Sequence, residues 1–145
     1  MTQIQTATST SAVIKAGAAY WALVFGAGFL LGTVRVLWLL PQVGEELAVL
    51  IESPVILTVS LLAAIWLTRR YHITATGAAL AMGALAFALL MLAELGLAVG
   101  AFAMTPGEWA ASILVPPGLW GLLGQIAFGL FPAGVVIARR MGKRA

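Results

Sequence analysis

The sequence predicts an all-α fold: a polytopic membrane protein built as a four-transmembrane-helix up-down bundle, with a short interfacial helix before the last span. Composition is the first observation, because 62% of the 145 residues are hydrophobic and only 9% are charged. The second is that the apolar residues fall into four segments, each near or above the roughly 20 residues that cross a bilayer. These segments occupy most of the chain, so no separate soluble domain is predicted.

Several residue types that build catalytic and cofactor sites are missing from the sequence. It has no Cys, Asp or Asn, and His72 is its only histidine. Disulfides, thiolate catalysis, Cys-ligated metals and haem or zinc sites made of several imidazoles are therefore excluded within one chain. We accordingly predict no cofactor, no metal and no enzymatic activity.

The partner that the composition predicts is the lipid bilayer. The formal net charge of +3 does not indicate a nucleic-acid partner, because the basic residues lie at the ends of spans rather than in one patch. Assembly as a homo-oligomer or within a larger membrane complex is left open by the sequence.

The N-terminal segment 1–14 is rich in Thr, Ser and Gln and carries no charged side chain, which predicts a disordered cytoplasmic tail. The transmembrane domain then covers 15–139, and its first span covers 16–40 and ends at Pro41. Lys15 before an apolar run is also a feature of cleaved signal peptides. We favour a retained span, because the run is much longer than an h-region of about 7–15 residues.

Two further apolar segments follow the first span. The second span covers 47–68, and Pro54 near its start predicts a kink or a delayed helix start, because proline removes a backbone donor. The third span covers 75–101 and is rich in Ala, Leu and Gly.

A helix start is encoded after the third span. Thr105 has the residue type of an N-cap, a proline follows in the first helical position, and Glu108 stands three residues after the cap. This pattern predicts a short interfacial helix over 106–115, which two consecutive prolines then terminate. The last span covers 118–137, and the chain ends in a basic cytoplasmic tail at 140–145.

The basic residues lie on one side of the membrane if the chain crosses it four times. They are Lys15, Arg69, Arg70, Arg139, Arg140, Lys143 and Arg144, whereas the opposite loops carry Glu45, Glu46 and Glu108. The positive-inside rule therefore predicts that both termini are cytoplasmic, and we predict a bacterial-type inner membrane. The four C-terminal basic residues are also predicted to contact anionic lipid headgroups. Tyr20 and Trp21 are predicted to lie at the inner interface as part of an aromatic belt.

Three ionisable residues lie inside the predicted spans. Counting back from the span ends at about 1.5 Å per residue puts Arg35 and Glu52 about 7 Å, and Glu94 about 10 Å, below the outer face. A charge in hydrocarbon costs at least a few kcal/mol unless it is partnered, so such residues are usually paired or functional. Together with Gln125 of the last span, they form a candidate proton or ion-pair site.

Glycines share helix faces with these polar residues. Gly28 and Gly32 lie on the stripe of Arg35, and Gly121 and Gly129 repeat this arrangement around Gln125 in the last span. Because glycine lets helices approach closely, we predict a helix-packing role for all four glycines.

The charges leave two functional interpretations open. One guanidinium faces two carboxylates, so the Glu that does not pair with Arg35 must be protonated, hydrated, or held by Gln125 or a hydroxyl. The leading interpretation is a structural or accessory membrane protein in which a buried Arg–Glu cluster fixes helix packing. The alternative is a small proton-coupled transporter or channel, with Glu94 or Glu52 as the proton carrier and Arg35 as the substrate or anion contact. A dry contact favours the first interpretation, and a water-filled vestibule favours the second.

Overall fold

The computed structural model describes residues 8–143, and within them it is all-helical, with no strand. Four helices are long and apolar enough to cross a membrane: Thr10–Val43, Glu45–Arg70, Thr76–Gly100 and Gly118–Gly142. The predicted all-α bundle of four transmembrane helices is therefore confirmed. The predictions made for residues 1–7 and for Arg144 lie outside the described residues.

Seven helical elements make up the described part of the chain. They are α1 (Thr10–Val34), a π-helical segment (Arg35–Leu39), α2 (Leu40–Val43), α3 (Glu45–Arg70), α4 (Thr76–Gly100), α5 (Pro106–Ser112) and α6 (Gly118–Gly142). Helix α1 packs against α3 and α4, and α6 packs against the same two helices, so α1 and α6 lie diagonally opposite each other. We call the end that holds Thr10, the 71–75 connection and Gly142 the terminal end, and the opposite end the far end.

The first membrane helix differs from its prediction at both ends. It begins at Thr10, where the Ser9 hydroxyl accepts a hydrogen bond from the Ala12 N–H at 3.1 Å, so residues 10–14 are helical rather than a disordered tail. Nor does Pro41 end the helix. Because proline lacks an N–H, the backbone widens into the π-helical segment just before it, and the helix continues to Val43.

The chain turns at Gly44 and enters α3 directly. Gly44 has a φ of 80°, a conformation that glycine adopts without strain. Helix α3 then begins at Glu45 and runs through Pro54 without interruption, so the proline does not delay its start.

Helix α5 is held by the capping box that the sequence encodes. The Thr105 hydroxyl accepts a hydrogen bond from the Glu108 N–H at 3.2 Å, and the Thr105 N–H donates to Glu108 Oε2 at 2.7 Å. These hydrogen bonds hold the pKa of the exposed Glu108 carboxyl below its usual value. The helix ends at Ser112, before the predicted residue 115, and the short connection 113–117 leads into α6.

The hydrophobic core lies in the terminal half of the bundle. Its buried residues come from 16–24 of α1, 64–67 of α3, 79–90 of α4 and 128–136 of α6, together with Ile73. Helices α4 and α6 approach most closely where Gly83 faces Gly129, since a Cβ built on Gly83 would overlap the carbonyl oxygen of Gly129. The four helices therefore close tightly on one another in this half.

Tyr20 lies inside this core and not at the interface that the sequence predicted. Its side chain is fully buried, its ring stacks on Phe128 with 4.4 Å between ring centroids, and its hydroxyl donates to the Phe128 carbonyl at 2.9 Å. In a regular helix that carbonyl would accept from the N–H four residues later, but the residue there is Pro132. The Tyr20 hydroxyl thus replaces the backbone donor that Pro132 lacks.

Candidate functional site

The far half of the bundle contains a cavity of about 660 Å³ between the four long helices. Small residues on the inward faces make the space. Gly28, Gly32 and Gly121 all line it, and a Cβ added at Gly121 would meet no atom within 4 Å. The packing role predicted for these three glycines is therefore corrected: their missing side chains leave room instead of bringing two helices together. Gly129 alone of the predicted four sits at a close helix contact, opposite Gly83.

Arg35 and Glu52 form an ion pair in the wall of this cavity. The distance from Arg35 Nε to Glu52 Oε2 is 2.7 Å, and the two side chains are 27% and 16% exposed. The two atoms lack the alignment of a hydrogen bond, so the contact is chiefly Coulombic. Arg35 is the first residue of the π-helical segment, and Glu52 lies in the third turn of α3.

Glu94 is held by the other pair of helices. The Gln125 Nε2 of α6 donates to Glu94 Oε1 of α4 at 2.5 Å. Within residues 8–143, Glu94 has no cationic partner within 4 Å. The guanidinium of Arg35 pairs with Glu52 instead. The side-chain oxygen of Gln125, Oε1, is buried and accepts no hydrogen bond. The site thus consists of one charged pair and one carboxyl–amide pair.

Two further carboxylates stand near the far end of the cavity. Glu45 lines the cavity, and Glu46 Oε1 accepts a hydrogen bond from Trp120 Nε1 at 3.0 Å. Both residues are exposed, as expected for the loop in which the sequence placed them, and they form the first turn of α3. The lining carboxylates outnumber the lining guanidinium, so the cavity has an excess of acidic groups.

Most of the cavity wall is apolar. Aromatic rings and aliphatic side chains surround the polar pairs, among them Phe25, Phe29, Leu90, Phe102 and Phe128. A concave apolar space with a few convergent polar groups is the usual form of a small-molecule site, and the volume is within the usual range of about 300–1,000 Å³. No group of three or more His or acidic side chains comes together in the described part of the chain to hold a metal ion.

The terminal end carries a separate group of basic residues. Arg139 donates to the Ile65 carbonyl at 2.8 Å and Arg140 to the Thr76 hydroxyl at 3.4 Å. Both line a smaller cavity of about 260 Å³ together with Lys143. The predicted contact of these residues with lipid headgroups stays a prediction.

Comparisons of the chain with protein-family models, with curated proteins and with solved structures find no match.

Proposed function

We propose that this multi-pass membrane protein is a small carrier, which binds a small molecule in the far-half cavity and exchanges it for a proton on Glu94. The observation that supports the proposal is the cavity of about 660 Å³ that reaches both polar pairs. A purely architectural ion pair would be expected in a dry, sealed helix contact, which is the geometry that the structural or accessory interpretation requires. The open space beside the pair favours the transport interpretation over it.

A carrier fits the packing better than an open channel. The cavity occupies the far half, whereas the terminal half is filled by the buried core that includes Tyr20, Leu67 and Met82. A ligand that enters at the far end therefore meets a closed barrier and can pass only if the helices rearrange. The proline in α3, the proline in α6 and the π-helical segment are places where membrane helices change their angle most easily.

The proton-carrying role is assigned to Glu94 and not to Glu52. Arg35 compensates the charge of Glu52 at 2.7 Å, whereas Glu94 is held only by the neutral amide of Gln125. An uncompensated carboxylate within the membrane costs at least a few kcal/mol, so a proton neutralises Glu94 in the empty site. A bound ligand that compensates the carboxylate releases that proton. Arg35 stays in the cavity wall as the counter-ion of Glu52.

The proposal also includes the orientation of the bundle in the membrane. The positive-inside rule favours a cytoplasmic location for the terminal end, because the described basic residues other than Arg35 lie there: Lys15, Arg69, Arg70, Arg139, Arg140 and Lys143. We assign the protein to a bacterial-type inner membrane, with the cavity facing the other side. The structure then corresponds to a state that is open outward.

The proposal predicts that Glu94→Gln abolishes proton-coupled transport. Proteoliposomes are loaded with a pH-sensitive dye, and one of four probes is added outside to give an inward gradient. Each probe carries an aromatic ring and crosses bilayers poorly. The probes are benzylguanidinium, benzyltrimethylammonium, benzenesulfonate and zwitterionic phenylalanine. At least one probe is expected to change the lumenal pH with the natural protein, and none with Glu94→Gln, because Gln releases no proton.

Glu108→Gln is the matched control for this experiment. It removes an exposed carboxyl outside the cavity and keeps an acceptor for the helix cap, so the pH change should persist. The carrier proposal fails if no probe changes the lumenal pH, or if Glu94→Gln works as well as the natural protein while eluting as a folded species.

A further inference from the structure

The charge balance of the cavity indicates the kind of ligand it can hold. Three carboxylates line it, those of Glu45, Glu52 and Glu94, against the single guanidinium of Arg35. The ion pair at 2.7 Å uses that guanidinium to compensate Glu52. Within residues 8–143, the other two lining carboxyls, those of Glu45 and Glu94, have no cationic partner, which disfavours an anionic ligand and favours a cationic one.

The hydrogen-bonding groups around Glu94 indicate which kind of cation the cavity can bind. Gln125 uses its Nε2 to donate to Glu94 Oε1, and its own Oε1 is buried, out of reach of a ligand in the cavity. Within residues 8–143, the other oxygen of Glu94, Oε2, accepts no hydrogen bond and is not buried, so it is the acceptor that this pair offers to a ligand. An N–H-bearing cation would supply the donor for Oε2.

The cavity walls indicate that the uncharged part of the ligand is apolar. Phe25, Phe29 and Phe102 line the same cavity as Glu94, and apolar side chains form most of its surface. Such walls favour an apolar body over a small hydrated ion, and aromatic faces also attract cations.

We propose that the cavity takes an organic cation with N–H donors and an apolar body, because the Glu94 carboxyl has no cationic partner within residues 8–143 and lines a cavity whose walls are mostly apolar. The inference rests on the proposed function in assigning proton release to Glu94. The ligand arrives as a cation, the Glu94 carboxylic acid loses its proton to water, and the carboxylate pairs with the cation. Net charge in the site is unchanged by this exchange.

Binding in detergent micelles tests the ligand class without any transport step. The readout is the fluorescence of the tryptophans, since Trp120 lines the cavity. Benzylguanidinium has N–H donors and benzyltrimethylammonium has none, whereas benzenesulfonate and phenylalanine differ from both in charge. We expect benzylguanidinium to bind about tenfold more tightly than benzyltrimethylammonium, as expected for a hydrogen bond to a charged group. The other two probes should bind more weakly than either cation.

Two variants locate the interaction. Glu94→Gln should weaken benzylguanidinium by about tenfold or more, because a neutral amide replaces the charged acceptor. Gln125→Met keeps the side-chain length and the Glu94 carboxyl, so it should keep the preference for benzylguanidinium over benzyltrimethylammonium. Equal binding of both cations by the natural protein would overturn the N–H requirement. An unchanged affinity in Glu94→Gln would overturn the assignment of Glu94.

The two proposals fail in different ways. Tighter binding of benzenesulfonate or phenylalanine than of the cations overturns the ligand class, and the carrier proposal survives if that probe changes lumenal pH. Benzylguanidinium that binds as expected, with no lumenal pH change for any probe, supports the ligand class and overturns the carrier proposal.

Discussion

Gly83→Ala is expected to destabilise the bundle by about 3 kcal/mol, the upper end of the range for overpacking a tight interior. A Cβ at this position would overlap the Gly129 carbonyl oxygen, which belongs to the backbone and cannot move aside as a side chain would. Helices α4 and α6 would have to separate, and the core packed between them would loosen. The free energy of unfolding in mixed micelles of mild detergent and dodecyl sulfate measures this loss.

Two other glycines of the same helix pair serve as controls. Gly96→Ala lies in α4 as well, where an added Cβ would meet no atom within 4 Å, so it should be neutral or stabilise by up to about 1 kcal/mol through helix propensity. Gly129→Ala should be intermediate, since its nearest neighbour would be the Phe87 Cβ at 3.3 Å. Equal stability of Gly83→Ala and Gly96→Ala would contradict the close approach of α4 and α6.

Arg35→Leu is expected to lower the free energy of unfolding by about 2 kcal/mol, because it leaves the Glu52 carboxylate without its cation. The expected loss is smaller than the value of about 3–5 kcal/mol for breaking a fully buried pair. Arg35 is 27% and Glu52 16% exposed, so water screens part of the charge. The same mixed-micelle unfolding measurement applies.

The double variant Arg35→Leu, Glu52→Leu separates pairing from simple loss of a side chain. Removing both charges should restore most of the stability, because no uncompensated carboxylate is left. Additive losses in a double-mutant cycle would mean that Arg35 and Glu52 do not interact in the membrane.

The helices of this protein could be predicted from hydropathy and capping patterns, but their ends could not always be. Four long apolar segments and the cap at Thr105 are local signals, and all five corresponding helices are present. The continuation of the first helix past Pro41 depends on a shift of backbone hydrogen bonding to a π-helical pattern. Proline in a sequence indicates a missing donor and does not show whether the helix ends or widens.

The candidate site was predictable in depth and not in pairing. A constant rise per residue places Arg35, Glu52 and Glu94 at similar heights, and all three line one cavity. Height does not show which carboxylate meets Arg35, because that depends on the order of the helices around the bundle. Pairing with Glu52 follows from the packing of α1 on α3, and pairing of Glu94 with Gln125 from that of α4 on α6.

The glycines and Tyr20 illustrate the same limit. Helical periodicity gives the face on which Gly28 and Gly32 lie, but close packing and a cavity both require small residues on that face. Tyr20 was expected at an interface because tyrosine is common there. Its position in the core depends on a carbonyl freed by Pro132 in a helix more than a hundred residues away along the chain.

The rate at which a water-soluble reagent labels a thiol in the far-half cavity tests most directly whether water reaches that cavity. The chain has no cysteine, so a single introduced thiol is the only target for a water-soluble reagent that does not cross membranes. Gly121→Cys points a thiol into the cavity, Ala79→Cys puts one in the fully buried terminal half, and Leu92→Cys puts one on a side chain that is 64% exposed outside the cavity. We expect rapid labelling of Gly121→Cys from the far side, and none of the other two. A Gly121→Cys thiol that reacts no faster than the Leu92→Cys thiol would contradict the existence of a water-filled cavity beside Arg35, Glu52 and Glu94.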